Sequence, residues 1–200
     1  MDLSKIIEQL APIAQHFDAT MLGHLDIIAA HTTPHQIKAG ERFPFKGFES
    51  HQAGYIVEGV FRVYSVDAVN RETTIRLPAE GEFTMYLEDY KALNQSIAYF
   101  WEAVTDSIIL TWGQEDLDFL VKTIPNWYFL SLKIIQTNIL RLTIERGELF
   151  SDDATTRYIK FIERYPHIIS RVPLRHVANY LGIAPQSLSR IRQNLAKNEN

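Results

Sequence analysis

RVPLRHVANYLGIAPQSLSRIRQNL, residues 171–195, is the stretch on which the reading of this chain turns. Pro173 can open a helix, Gly182 can take the positive φ that closes it, and Pro185 suits the first turn of the next. The stretch predicts helix, tight turn, helix. Val177, Leu181, Ile183, Leu188 and Ile191 fall where two steeply crossing helices need apolar side chains, and Ala178 is small where the second helix passes over the first. A helical hairpin buried in a core would use the same positions. It would not need Gln186, Ser187, Ser189, Arg190, Gln193 and Asn194, all hydrogen-bonding, along the outward face of the second helix. Donors and acceptors held on a rigid helix are what base edges in a DNA major groove require. Residues 171–195 therefore predict a DNA-binding helix-turn-helix whose second helix, about 185–195, enters the groove.

Charge supports this locally, although the whole chain does not advertise it. The 200 residues carry a formal net charge of −4, yet residues 1–150 hold 12 basic against 20 acidic side chains and residues 151–200 hold 8 against 4. From Arg164 to Asn198 there is no Asp or Glu, while Arg164, Arg171, Arg175, Arg190, Arg192 and Lys197 are all present. An acid-free basic segment suits a polyanion. Arg190 can grip guanine O6 and N7 with two N–H groups and Gln186 can pair with adenine N6 and N7. Ser187, Arg192 and Lys197 are better placed for phosphates, and Arg175 completes the candidate DNA-contacting set.

Upstream, Leu132, Ile135, Ile139, Leu142 and Leu149 recur at a and d positions of a heptad, with Arg146 in the vacant a. Phe129, Leu130, Ile134 and Ile144 form a second apolar set, so one face is expected on the chain's own core and another on a partner copy. Pro125 or Asn126 opens this helix, and Ser151-Asp152-Asp153 breaks it and caps another through about Arg164. From 31 to 112 the period is two instead: Tyr55–Val57, Val60–Val66, Thr73–Leu77 and Ser107–Trp112 read as strands, with a hairpin-like loop at Asp67–Asn70. Many short strands at this spacing suggest a small barrel or sandwich, a jelly roll among them. Before them, Leu3, Ile6, Ile7 and Leu10, then Asp18 capping a segment with Met21, Leu22, Leu25 and Ile28, predict a short helical start.

The chain has no cysteine, which removes disulfides, iron–sulfur clusters, thiolate ligation and a cysteine nucleophile together. No phosphate-cradling glycine loop, paired histidines on one helix face or nucleophile-elbow serine occurs, and the seven histidines are scattered. His176, in the first motif helix, is expected to be at the surface or backbone-contacting. The expectation is no enzyme, no metal and no cofactor. Met1–Leu10 alternates apolar residues with Asp2, Lys5 and Glu8, so a soluble cytoplasmic protein without membrane attachment is expected.

The fixed order of barrel, long helix and then Ala178-Asn179-Tyr180-Leu181-Gly182-Ile183 followed by Ser187-Leu188-Ser189-Arg190 resembles the Crp/Fnr family of bacterial transcription regulators. Lys38–Glu41, Tyr55–Tyr64, Leu77–Phe83 and Ala103–Ser107 are similar to the cyclic-nucleotide-binding-type barrel of that family. The resemblance implies an α+β chain: an N-terminal jelly-roll sensor barrel over 1–124, a dimerisation helix over 125–150, and a helix-turn-helix DNA-binding domain over 151–200, of winged-helix type with a reduced wing. It further implies a homodimer on a near-palindromic double-stranded operator and RNA polymerase as a partner. By the family's pattern, Gln186, Ser189 and Arg190 read bases and Ser187 lies near the backbone. Two positions depart from it: many members carry Glu where this chain has Gln186, and some carry Arg at Pro185, so the half-site should differ from the family's commoner sequences.

Cyclic-nucleotide-binding members hold the cyclic phosphate with an Arg-Ser/Thr-Ala segment. Here no Arg lies between Arg76 and Arg141, and the corresponding place reads Asn94–Tyr99, with Lys91 the nearest cation. Tight binding of cyclic AMP or cyclic GMP is therefore not expected. Glu82, Tyr86, Tyr99 and Trp101 are candidates for lining a pocket for another effector, set against core filling by aromatics at alternating strand positions. Two other readings use the same residues: a cupin-like jelly-roll enzyme or small-molecule sensor with Glu58 as acid, and a dimeric protein-interaction module without DNA.

Overall fold

The computed structural model describes residues 1–43, 52–86 and 98–198. The Asp2 carboxylate accepts the Lys5 amide at 3.0 Å and starts α1 (Leu3–Phe17), while Asp18 caps a 3₁₀ segment, Ala19–His24, that leads into α2 (Leu25–Ala30). Among the described residues eight strands follow: β1 (Thr33–Ile37), β2 (Arg42–Phe43), β3 (Gln52–Glu58), β4 (Phe61–Val66), β5 (Glu72–Arg76), β6 (Phe83–Tyr86), β7 (Ala98–Ala103) and β8 (Ser107–Trp112). They form two antiparallel four-stranded sheets, ordered β1-β8-β3-β6 and β2-β7-β4-β5. The first strand pairs with the last, from Thr33 opposite Thr111 to Ile37 opposite Ser107. This is the expected jelly-roll arrangement within an α+β chain. Asn70, at φ +59, turns the β4–β5 hairpin at the loop read from Asp67–Asn70.

Side chains alternate across a strand, so the two central strands of the first sheet, β3 and β8, each feed two cores. Ile37, Ile56 and Ile109 point between the sheets, where they meet Phe61, Val63, Trp101 and Ala103. Leu110, Trp112, Ala53 and Phe83 point outward and are covered by Ile6, Leu10, Ala14, Met21 and Ile28 from the N-terminal helices. The β3–β4 corner depends on Gly59, at φ +104: a Cβ there would lie 2.8 Å from Ser107 Cα and nearer still to its hydroxyl.

After β8 come α3 (Gln114–Thr123) and the long α4 (Trp127–Ser151), which starts behind Asn126 in the left-handed region. The Asp153 carboxylate accepts the Thr156 amide at 2.9 Å and opens α5 (Ala154–Arg164), as the Ser-Asp-Asp break predicts. The chain ends in α6 (Leu174–Tyr180) and α7 (Pro185–Asn198). No strand occurs among residues 151–198, so no wing is present within them. A third core joins Phe161, Ile168, Val172, Val177, Leu181 and Leu188 of this C-terminal part to Val60, Leu77 and Ala79 of the barrel. No described helix is long and apolar enough to cross a membrane.

Candidate nucleic-acid interface

The turn between α6 and α7 is fastened from three directions. Ile183 N–H donates to the Ala178 carbonyl (2.9 Å) and Gly182 N–H to the Asn179 carbonyl (3.2 Å), with Gly182 at φ +63, which closes α6 in a Schellman-like cap. From α5, the Arg157 guanidinium donates to the Leu181 carbonyl at 2.6 Å. Val177, Ala178 and Leu188 are fully buried where the helices cross. The result is a rigid pedestal for α7, built from the residues whose spacing predicted it.

On α7, at about 100° per residue, Gln186, Ser189, Arg190, Gln193 and Lys197 share one face, opposite the inward Leu188, Ile191 and Leu195. Ser187 and Arg192 fall on its two flanks. All seven polar residues are exposed, as is Arg175 on α6. The six cations of the acid-free segment divide by use. Arg164 binds both carboxylate oxygens of Glu148 (3.0 and 2.9 Å) and Arg171 both of Glu80 (3.0 and 2.6 Å), fastening the C-terminal helices to α4 and to the barrel. No hydrogen bond or ion pair among the described residues engages the side chains of Arg175, Arg190, Arg192 or Lys197. Those four remain available to an outside anion.

Contacts that sequence reasoning missed hold this unit to the rest of the chain. The Asn179 side-chain amide pairs with the exposed edge of β5, its oxygen accepting the Thr74 amide and its nitrogen donating to the Glu72 carbonyl (3.2 Å). Beside it His176 is half-buried against the barrel instead of lying free at the surface; burial, then the positive charges of Arg62 and Arg175, pull its pKa down to about 4. The Tyr165 and Tyr180 hydroxyls donate to the two oxygens of Glu145 on α4, and burial pushes both phenol pKa values well up. Next to them Arg76 (3.0 Å) and Arg141 both donate to Glu82. None of these pairings has a local spacing signal, because the partners lie 20 to 107 residues apart or across elements.

Of the four effector-pocket candidates, the two described side chains, Glu82 and Trp101, lie apart. Glu82 is held in the ion cluster between barrel and α4, whereas Trp101 packs between the sheets against Phe61. The side chains of Tyr86 and Tyr99 lie outside the described residues, as does 94–97. An acid at the head of a strand reads as a pocket residue only when its partner, here 59 positions away on α4, is unknown. Trp101 follows the core-filling reading.

On α4, Trp127 and Leu130 are buried and Ile134 packs on the outer core, so one face belongs to this chain's barrel. Of the heptad stripe, Ile139 is 57% exposed and Leu132, Ile135, Leu142 and Leu149 are half-buried; Phe129, Leu140, Ile144 and Phe150 are also exposed. The helix leaves a second apolar face open.

The fold is that of Crp/Fnr-type regulators. FixK2 from Bradyrhizobium japonicum superposes with a TM-score of 0.69 at 14% identity, over 84% of this chain and 86% of that one. CLP, a c-di-GMP-responsive global regulator of Xanthomonas campestris, gives 0.62 at 16% identity, over 91% and 93%. A protein assigned to the Crp/Fnr family of transcriptional regulators, from Eubacterium rectale, gives 0.61 at 13% identity, over 94% and 87%. No protein-family model matches the sequence, and no curated protein does.

Proposed function

We propose that this chain is a sequence-specific DNA-binding transcription regulator of the Crp/Fnr type that acts as a homodimer and does not depend on a cyclic nucleotide. One observation carries the reading: α7 presents Gln186, Ser189 and Arg190 on a single exposed face of a rigid helix-turn-helix, with Arg175, Arg192 and Lys197 beside it, none of these cations paired among the described residues, and no acid in the segment. A buried structural helix would have neither feature. In this reading Arg190 and Gln186 contact purine edges and Ser189 reads beside them. Ser187 and Arg192 meet phosphates on the two walls of the groove, and Lys197 and Arg175 add backbone contacts.

Dimerisation follows from the open face of α4. A second copy laid along Ile139, Leu142 and their neighbours would remove that surface from water and place two recognition helices about one DNA turn apart. Such a dimer reads a near-palindrome. The reading is of a cytoplasmic binding protein, not an enzyme, with RNA polymerase as a further partner on the promoter.

Selection of bound sequences from random DNA tests it. The expected result is an enriched palindrome with guanine or adenine facing Arg190 and Gln186. Arg190→Ala should cost about 1–3 kcal/mol on that site and relax its specificity, while Lys197→Ala should weaken all sequences alike and lower the salt slope by about 1. A purified dimer that enriches nothing, alone and with cell extract added, would overturn the proposal. A DNA affinity independent of salt would favour the protein-interaction reading. Micromolar binding of cyclic AMP or cyclic GMP in calorimetry would refute nucleotide independence.

A further inference from the structure

A cavity of about 310 Å³ lies outside the sandwich, between the outer face of the first sheet, the N-terminal helices and α4. Leu10, Ala14, Met21 and Ile28 wall it on one side, and Leu130, Ile134 and Ile135 on the other. It is separate from the core between the sheets, none of whose buried cluster lines it. Leu10, Ala14, Met21, Ile28 and Trp112 are each at most 5% exposed, so the cavity is a recess into the protein and not a flat face. Its volume lies at the lower end of the range for small-molecule sites, roughly 300–1,000 Å³.

The polar groups of the wall are unbalanced in one direction. Among the described residues Arg76 is the one charged member of it, with no Asp, Glu, Lys or His. Arg76 and Arg141 share a single carboxylate, Glu82, and Arg141 also donates to Asn138, which lines the cavity (3.0 Å). Glu145 also faces Arg141, so the cluster itself is balanced, and Arg76 is the guanidinium of it that borders the recess.

We infer that this cavity binds a small amphipathic carboxylic acid, its apolar body against Leu10, Met21 and Ile134 and its carboxylate at Arg76 and Asn138. The wall runs along α4 from Trp127 to Leu142, roughly 22 Å at 1.5 Å per residue, which suits an unbranched chain better than a compact ring. A cation is rejected because its charge would sit beside Arg76 in an apolar recess. Ile135, Ile139 and Leu142 stand at the open side, so the site borders the surface proposed for the partner copy.

The test is titration of the purified full-length protein with octanoate, decanoate and dodecanoate below their micelle concentrations, alongside decanoate methyl ester and decylamine. Calorimetry and tryptophan emission are the readouts, and neither requires DNA. One acid per chain, with a shift in tryptophan emission, is expected, in the order acid over ester over amine. Ala14→Phe, which fills the recess, should abolish binding. Arg76→Gln should weaken the acid about tenfold and the ester less than twofold; it stays informative if the Phe variant does not fold. Equal binding of acid and amine, or binding untouched by both substitutions, would overturn the proposal. So would acid binding to a monomeric variant that disappears in the dimer, which would assign the recess to the second copy.

Discussion

Replacing Asn179 by Ala removes both hydrogen bonds between α6 and the edge of β5 without touching the exposed face of α7. Each such bond contributes about 0.5–1.5 kcal/mol net; the Glu72 bond is exposed, where water can take over the freed carbonyl, and the Thr74 bond is part-buried. The expected loss is about 1–2 kcal/mol of docking energy, a 5- to 30-fold rise in the population with α6 lifted from the barrel. Native-state hydrogen exchange reads this directly, because the Thr74 amide donates to Asn179. Its exchange should accelerate by that factor, while the Ile109 amide, in a central strand of the other sheet, should not change. Unchanged protection at Thr74 would refute the latch. Equal acceleration at Ile109 would refute it too, since the bond would then support the fold as a whole and not the docking of one element.

Gly59→Ala should destabilise by about 2–5 kcal/mol in chemical denaturation, combining positive-φ strain with a clash against the Ser107 backbone; Gly182→Ala should cost only about 1–2 kcal/mol, mostly positive-φ strain, because its Cβ would meet Arg157 Nη1 no nearer than 3.3 Å. His176 stays neutral in the folded protein down to about pH 4, whereas the unfolded chain protonates near 6.5. Its contribution is therefore fully present above pH 6.5 and is lost as pH falls towards 4. The acid-side loss should be about 1–3 kcal/mol smaller in His176→Gln than in the parent across that window, and identical slopes would contradict the burial argument. A double-mutant cycle on Arg171→Ala and Glu80→Ala should give a coupling of about 1 kcal/mol that shrinks in high salt, as expected for a two-pronged pair with both side chains 30% exposed.

What was legible in the sequence was whatever obeys a short period. The turn at Gly182 and Pro185, the strand Ser107–Trp112 and the Ser-Asp-Asp break each declare themselves within ten residues, because backbone sterics and side-chain alternation act locally. The α4 stripe was legible as a pattern, and its division between barrel face and open face followed from two overlapping apolar sets. What escaped were contacts whose meaning depends on a distant partner. Glu82 looks like a pocket acid until Arg141 is placed beside it, and Asn179 looks like one more polar helix residue until β5 presents its edge. The recess outside the sandwich is made from residues spread between Leu10 and Leu142, with no motif among them.

The pairing of β1 with β8 also sets an order of assembly. Thr33 and Thr111 stand 78 residues apart, so closing the sandwich requires one of the most expensive loop closures in the chain, and the barrel belongs to the slow class of topologies rich in long-range contacts. The three C-terminal helices form from near neighbours and can coil quickly, but their core is completed by Val60, Leu77 and Ala79 of the barrel. On the ribosome the barrel strands emerge first, and α5, α6 and α7 arrive later at a surface already in preparation. The helix-turn-helix gains its final packing no faster than the sandwich closes, so a lesion in the first hundred residues can delay the appearance of a DNA-reading surface that lies wholly in the last thirty.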